Sequence, residues 1–266
     1  MKNSTYFQHH IFYDSLLNFS KNDLVTSEEV KMIIKYANFA CFDTNKTKLL
    51  DIGGGTGRHA IYLLRNNFDV DIIEKSPQMY KILISKISSL PFVEKQRSYN
   101  VDFYRFKKKY PIYSVIYSFW NVINEMCKTI KDLSIFFRKT YTLLIPGGYC
   151  IINTEDLDNY DSIDIFFENL NYEYYFIQNN KKYLFESILY RVDRKKKITC
   201  TIENIFELGF SKNETSKILK SKCYLIQKWW TKYMIIYIAE KEGMDFNCIE
   251  KIKYNDEIYI VFRKPG

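Results

Sequence analysis

The chain has 266 residues, a formal net charge of +8, 47% hydrophobic residues and 17% aromatic residues. This length and composition suit one large α/β domain with a substantial core. No apolar run approaches the roughly twenty residues of a membrane span, and the first residues lack a secretory signal, so we expect a cytoplasmic protein. The six cysteines are scattered without a Cys-x-x-Cys pair. The spacing therefore predicts neither a disulfide framework nor a metal site.

The positive charge raises the question of a nucleic-acid partner. The lysines are dispersed along the chain, and the densest basic runs, 107–109 and 194–197, fall where the pattern predicts turns. We therefore favour solvated loops over a phosphate-binding patch. Anionic small substrates, including nucleotide-linked ones, remain compatible with this charge.

The first 48 residues are strongly aromatic and precede the first predicted core strand. Apolar residues recur at helical spacing after a Thr-Ser-Glu-Glu start at 26–29, which predicts a helix over 27–41. A second helix is predicted over 6–19.

From residue 48 onward, strand-like and helix-like segments alternate, which predicts a parallel sheet. Strands are expected at 48–52, 69–74, 96–100, 112–119 and 149–154, with helices at about 57–66, 76–88 and 131–143.

The segment 156–222 breaks this alternation. Strand-like runs at 183–193, 197–207 and 222–228 predict an antiparallel insertion. A helix over 232–242, ended by Gly243, and a hairpin of strands 246–253 and 257–263 complete the predicted order.

The most informative motif is LLDIGGGTGRH at 49–59, a buried strand followed by a glycine turn and an apolar-periodic helix. This arrangement opens a nucleotide-binding βαβ unit, in which the helix N-terminus presents unpaired N–H groups to a ligand. A dinucleotide site would place a third spaced glycine where this chain has Arg58. A turn that binds nothing is the remaining alternative, disfavoured because four glycines within five residues weaken a fold that has no use for them.

The turn resembles motif I of the class I S-adenosylmethionine-dependent methyltransferases, Asp-x-Gly-x-Gly-x-Gly, with Asp51, Gly53, Gly55 and Gly57 in the matching places. The resemblance implies an α/β fold with a seven-stranded, mostly parallel Rossmann-like sheet that ends in an antiparallel C-terminal hairpin. It also implies a single domain with a helical cap or lid at 1–48, a cofactor-binding core at 49–155, an antiparallel β insertion after strand five at 156–230, and a final helix and hairpin at 231–266.

The same resemblance implies which residues hold the cofactor. Glu74, at the end of the second strand, would accept hydrogen bonds from both ribose hydroxyls, as only a carboxylate can. Lys75 would flank the adenine, Asp102 would bind its amino group, and Phe103 would pack against the base.

The remaining cofactor contacts are expected at the glycine turn and after strand four. Asp51 suits the cationic end of the cofactor, and the turn itself would bind through Gly53, Gly54, Gly55 and Gly57. Ser118 and Phe119 would approach the methionine portion through backbone atoms. Arg58 has three alternatives: contact with the methionine carboxylate, a pair with Asp51, or a solvent-facing position. Trp120 either walls the methyl site or packs in the core.

Candidates for catalysis are few. A hydroxyl acceptor needs a base, whereas an amine must only be neutral. His9 and His10 lie in the N-terminal segment, and Glu155 or Asp156 ends strand five. Tyr13 would line the methyl site, and with Asp14 it resembles a Tyr-Asp pair of sugar-amine methyltransferases.

The segment after strand four lacks the prolines of amino-type adenine and cytosine methyltransferases, which disfavours base methylation of that kind. The layout resembles glycine/sarcosine and nucleotide-sugar amine methyltransferases. We therefore expect methyl transfer from S-adenosylmethionine to nitrogen or oxygen of a small-molecule acceptor, a sugar, nucleotide-sugar or secondary-metabolite intermediate, with S-adenosylhomocysteine as product. The alternatives are an RNA or protein methyltransferase and a non-catalytic cofactor-binding subunit. The oligomeric state stays open, with a homodimer among the compatible states.

Overall fold

The computed structural model describes residues 9–17, 22–40, 47–90, 96–160, 162–210, 215–254 and 256–266. Two sheets are present in these ranges, one of seven strands and one of four. None of the helices described there is long and apolar enough to cross a membrane.

The larger sheet confirms the predicted fold class. The strands are β1 (Lys48–Ile52), β2 (Asp69–Glu74), β3 (Gln96–Asn100), β4 (Tyr113–Ser118), β5 (Leu144–Glu155), β10 (Asp245–Glu250) and β11 (Glu257–Arg263). Their order in the sheet is β10-β11-β5-β4-β1-β2-β3. Strands β1 to β5 are parallel to one another, and β11 is antiparallel to both β5 and β10.

Helices connect these strands and shield both faces of the sheet, as a mostly parallel sheet requires. Local sequence explains where they begin. Ser76 caps the helix that follows β2, and Pro77 lies in its first turn. Thr129 and Asp132 form a capping box at the start of the helix that precedes β5. The helices are α2 (Asn22–Ala40), α3 (Arg58–Arg65), α4 (Pro77–Ile87), α5 (Val122–Met126), α6 (Ile130–Leu143) and α8 (Lys232–Lys241).

The smaller sheet is wholly antiparallel, in the order β6-β7-β8-β9. Its strands are β6 (Tyr172–Gln178), β7 (Lys181–Asp193), β8 (Ile198–Phe210) and β9 (Thr215–Lys228), and two short helices, α1 (Tyr13–Leu17) and α7 (Ile163–Glu168), belong with it. Phe12 and Leu16 pack against Phe176, Tyr183 and Phe185 of this sheet.

The chain divides into two compact units. One comprises the described part of residues 1–22 together with 157–229, and the other comprises 23–156 and 230–266. Helix α1 belongs to the first unit, and α2 from Asp23 onward belongs to the second. The helical cap or lid over 1–48 stays a prediction. Helix α2 contributes Val30, Ile33 and Ala37 to the core of the larger sheet, as their helical spacing indicates.

Several strands differ from the prediction. Strand β5 begins at Leu144, five residues before the predicted 149, and includes the Pro-Gly-Gly segment that predicted a turn. A register shift accommodates this segment: Tyr113 of β4 pairs with Leu144 and Val115 with Tyr149, and the pairing with β11 covers residues 149–155.

Strand β9 begins at Thr215, seven residues before the predicted 222, and β10 ends at Glu250, three residues before the predicted 253. Strand β6 has the sequence YEYYFIQ, which the pattern did not predict because polar and apolar residues do not alternate in it.

Candidate functional site

The glycine turn after β1 is held by backbone contacts to β2. The amides of Gly53 and Gly54 both donate to the carbonyl of Ile73, at 2.9 and 3.1 Å. Gly57 has φ of +90°, and a Cβ added there would lie 2.5 Å from Leu83 Cδ1. Only glycine fits this position, because both the left-handed backbone and the close helix exclude a side chain. Gly57 begins α3 without a side-chain cap.

Asp51 lies beneath this turn, 3% exposed. Its Oδ2 makes no hydrogen bond of normal geometry to the described residues. Burial raises the pKa of Asp51 to about 6, although nearby His59 and Tyr117 oppose the shift. A buried carboxylate oxygen of this kind is costly unless a ligand satisfies it, and a cationic group suits it best.

Glu74 ends β2 beside the turn, as predicted. Its Oε2 accepts from the amide of Gly55 at 2.8 Å and its Oε1 from the amide of Ser76 at 2.6 Å. Burial raises the pKa of Glu74, while these two amide bonds oppose it. A carboxylate can accept about four hydrogen bonds in all, so acceptor capacity remains on Glu74 for a diol. Asn100, at the end of β3, holds the adjoining backbone by donating to the carbonyl of Glu74 at 2.9 Å.

Asp102 follows β3 and pairs with Lys75, Nζ to Oδ2 at 3.0 Å. Its other oxygen accepts from the amide of Tyr104 at 2.9 Å. Burial alone would raise the pKa of Asp102, but Lys75 and the Tyr104 amide outweigh it and lower the pKa. The Phe103 ring is 3% exposed and packs at a tilt of 51° against Phe136 in the core. Its packing against the base stays a prediction.

The segment after β4 is strained. Trp120 and Asn121 have φ of +61° and +60°, left-handed values that bulky residues rarely adopt. Strain of this kind concentrates at ligand and catalytic sites. Ser118 Oγ donates to the carbonyl of Ile52 at 3.2 Å and so joins the ends of β4 and β1. Phe119 is 4% exposed, and its backbone contact with the cofactor stays a prediction.

A buried glutamate of α2, Glu29, links these segments and was not identified from the sequence. Its Oε2 lies 2.7 Å from His59 Nε2 and accepts from Trp120 Nε1 at 3.4 Å, and its Oε1 accepts from the Tyr259 hydroxyl at 2.8 Å. Burial alone would raise the pKa of Glu29, but the charge and hydrogen bond of His59 lead the interactions that lower it. Glu29 lies four residues before the buried Ile33 and therefore on the same face of α2. This helical spacing could have predicted that Glu29 is buried.

Arg58 makes two contacts that the three predicted alternatives do not include. Its guanidinium carbon lies 4.0 Å from the centre of the Trp120 ring, a cation–π distance, and its Nε donates to Thr26 Oγ1. The contact with Asp51 or with a methionine carboxylate stays a prediction.

Two carboxylates at the end of β5 have opposite environments. Burial and the neighbouring charge of Asp256 raise the pKa of Glu155 to about 7. Asp156 pairs with Lys232 at 3.0 Å and Lys251 at 3.4 Å. Burial would raise the pKa of Asp156, but these two lysines lower it. Of the two predicted candidates, Glu155 is the one suited to accept a proton near neutral pH.

The predicted residues of the N-terminal segment belong to the other unit. His9 is fully buried, and its Nδ1 lies 2.7 Å from Ser221 Oγ. Burial lowers the pKa of His9 to about 4, although Glu203 opposes this. Its enclosure argues against the predicted role as a base that contacts the acceptor. His10 and Tyr13 are half-buried, and their catalytic or cofactor roles stay predictions.

The sequence of the chain matches a family model described as a methyltransferase domain over residues 24–200. The chain therefore belongs to this methyltransferase family, and the predicted class, the class I S-adenosylmethionine-dependent methyltransferases, is confirmed. No curated protein matches the chain in sequence.

Solved structures share the fold at low identity. The sugar N-methyltransferase KedS8 from Streptoalloteichus has a TM-score of 0.70 at 12% identity, over 97% of this chain and 93% of its own. The CcbJ methyltransferase from Streptomyces caelestis has a TM-score of 0.69 at 14% identity, over 91% and 90%. CalS10 from Micromonospora echinaspora, described as an amino pentose methyltransferase with bound S-adenosylmethionine, has a TM-score of 0.67 at 16% identity, over 90% and 92%.

Proposed function

We propose that this enzyme transfers a methyl group from S-adenosylmethionine to the amine nitrogen of a small-molecule acceptor, of the amino-sugar or nucleotide-linked amino-sugar type. The observation that carries the choice of acceptor is the pair of neighbouring carboxylates, Glu155 and Asp256, at the end of β5. The class of enzyme and its cofactor follow from the family; the acceptor and the accepting atom are proposals.

The residues at the glycine turn fit the cofactor. Asp51 offers a buried anionic oxygen without a hydrogen-bond partner of normal geometry among the described residues, which suits an ammonium or sulfonium group. Glu74 retains acceptor capacity on both oxygens for a ribose diol. S-adenosylmethionine, when bound, supplies the methyl group as an electrophilic carbon on a positively charged sulfur.

The end of β5 fits a cationic acceptor. Two neighbouring carboxylates repel each other when both are ionised, and a protonated amine bound beside them reduces this repulsion. The same pair disfavours a polyanionic RNA backbone, which weakens the RNA alternative. The acceptor must lose a proton before its nitrogen can attack, and Glu155, with a pKa of about 7, is ionised and able to take that proton at slightly alkaline pH.

The reaction needs little further chemistry from the chain. The nitrogen lone pair forms the new N–C bond as the C–S bond breaks, the electron pair stays on sulfur, and Glu155 holds the proton until it reaches solvent. The glycine turn and the strained backbone at Trp120 and Asn121 provide rigid positioning, the principal contribution a protein makes to such a displacement. KedS8 and CalS10, described as sugar N- and amino pentose methyltransferases, support the choice of an amine acceptor.

The proposal is tested by incubating the purified chain with methyl-labelled S-adenosylmethionine and a matched acceptor panel. The panel contains nucleotide-linked amino sugars, the corresponding hydroxy sugars, an RNA pool and a protein extract. Label is expected in the amino sugars only, with equal release of S-adenosylhomocysteine. Label in the hydroxy sugars would move the reaction to oxygen, and label in RNA or protein would contradict the proposal.

Two further expectations from the sequence accompany this proposal. We expect the enzyme in the cytoplasm, and a homodimer remains compatible with the chain. Sedimentation velocity of the purified chain and fractionation of the source cells test them separately.

A further inference from the structure

Three metal-ligating side chains meet inside the unit formed by 157–229 and the described part of residues 1–22. They are His9, Glu203 of β8 and Cys223 of β9, and each is at most 2% exposed. Strands β8 and β9 pair so that Glu203 stands directly opposite Cys223. The turn before α1 brings the His9 ring to the same place, more than 190 residues away in sequence.

We propose that His9, Glu203 and Cys223 bind a zinc ion. The donor atoms are mutually spaced as ligands of one ion: Cys223 Sγ lies 3.1 Å from His9 Nε2 and 3.4 Å from Glu203 Oε2, and His9 Nε2 lies 3.7 Å from Glu203 Oε2. Tetrahedral zinc, with bonds of about 2.0 Å to nitrogen or oxygen and about 2.3 Å to sulfur, separates its ligand atoms by roughly 3.3–3.6 Å. The observed distances bracket that range.

The donor types select the metal. A thiolate with an imidazole and one carboxylate favours zinc among the common cellular divalent ions, whereas magnesium and calcium prefer oxygen ligands alone. Ser221 Oγ lies 2.7 Å from His9 Nδ1 and fixes the ring so that Nε2 faces the other two donors. A second partner of this kind is usual for zinc-bound histidine. The edge of Phe185 packs near the ring, with centroids 6.2 Å apart.

The site would tie the N-terminal segment to the four-stranded sheet. His9 lies three residues before Phe12, which packs on that sheet together with Leu16 in a small hydrophobic cluster. A zinc ion anchored on β8 and β9 would add a strong, metal-dependent fixation to this modest contact. The inference does not depend on the proposed acceptor or on methyl transfer.

The first test measures metal content and spectra of the full-length chain. Zinc is expected at one equivalent per chain after dialysis. The chelator-treated protein should take up one equivalent of cobalt and develop thiolate-to-cobalt charge-transfer absorption. C223S should abolish that absorption and H9N should weaken cobalt binding at least tenfold. C200S, a matched change at a half-buried cysteine of the same sheet, should leave both unchanged.

A measurement without variants guards against misfolding. X-ray absorption at the zinc edge of the wild-type protein should show one sulfur among the nearest neighbours. Failure to bind zinc or cobalt at micromolar concentrations would overturn the proposal and leave a hydrogen-bonded group of side chains. Persistence of the thiolate absorption in C223S, or a zinc shell without sulfur, would overturn it equally.

Discussion

Replacing Asp51 with Asn should stabilise the ligand-free protein while weakening its affinity for the cofactor. The pKa of Asp51 is raised by burial from 3.8 to about 6. A carboxyl group whose pKa is raised on folding binds its proton more tightly in the folded state, so its contribution to stability is best at low pH and is lost as the pH rises through about 6. Linkage gives a cost of about 3 kcal/mol at about pH 7.5 and about 1.6 kcal/mol at about pH 5. With the residue 3% exposed, solvent screens this cost little.

The assay is urea denaturation of the wild type and Asp51→Asn at both pH values. The new amide carries N–H groups whose burial costs about 1–3 kcal/mol, so the net gain at about pH 7.5 is expected to be at most about 2 kcal/mol. That fixed cost cancels between the two pH values. The advantage of the variant should therefore shrink by about 1.4 kcal/mol on acidification to about pH 5.

The matched control is Asp71→Asn on the neighbouring strand. Asp71 is also fully buried, but Lys48 Nζ lies 3.0 Å from one oxygen and the Tyr113 hydroxyl donates to the other at 2.7 Å. Lys108 Nζ also lies 3.2 Å from Asp71 Oδ2. Asp71→Asn should destabilise by about 3 kcal/mol or more, because it removes the buried charge that both partly buried lysines face, although Lys48 keeps Asp69 at 2.9 Å. An Asp51→Asn variant that is less stable than the wild type at about pH 7.5, or one whose difference from wild type does not change with pH, would refute the argument that Asp51 is held for a ligand.

Three other changes follow from the same site. Glu155→Gln should lower kcat/KM by about 10²-fold or more. It should also remove the decrease in rate that the wild type shows below about pH 7. An unchanged pH profile would exclude Glu155 as the proton acceptor. Gly57→Ala should lower the free energy of unfolding by about 1–3 kcal/mol in thermal unfolding, because its methyl group would lie 2.5 Å from Leu83 Cδ1 at a left-handed φ. An unchanged stability would show that the turn relaxes freely. Glu29→Ala should cost about 3 kcal/mol in urea denaturation, because it removes the carboxylate that the buried His59 and Tyr259 and the partly buried Trp120 contact. A cost under about 1 kcal/mol would contradict the linking role.

The glycine motif and the alternation of strand-like and helix-like segments predicted much of the fold. The glycine turn and the strand spacing predicted β1, β2, β3 and β11 at their observed bounds. Strands β1, β2 and β11 are short, largely buried runs. Strand β3, in which Arg97 and Asn100 are exposed, follows only from the alternation of elements. The position of Glu74 beside the turn followed from the length of one strand–helix–strand unit. Its two backbone amide donors could not be read from sequence.

Other features depend on contacts that sequence spacing does not encode. Strand β5 includes Pro146 because a register shift against β4 absorbs residues 145–148, and Gly147 and Gly148 exchange backbone hydrogen bonds with Lys264. Glu29 reads as a helix-start carboxylate, and only packing reveals it as the buried partner of His59 and Tyr259. Scattered cysteines predicted no metal site, yet strand register brings Cys223 against Glu203.

The central claim about this protein is that the glycine turn binds the cofactor. Calorimetric titration with S-adenosylmethionine and S-adenosylhomocysteine should give one micromolar site per wild-type chain, weakened at least tenfold in Glu74→Ala. Glu173→Ala, at an exposed position of β6, should bind as the wild type does. Absence of binding by both ligands, or equal binding by Glu74→Ala, would contradict the assignment of this turn as the cofactor site.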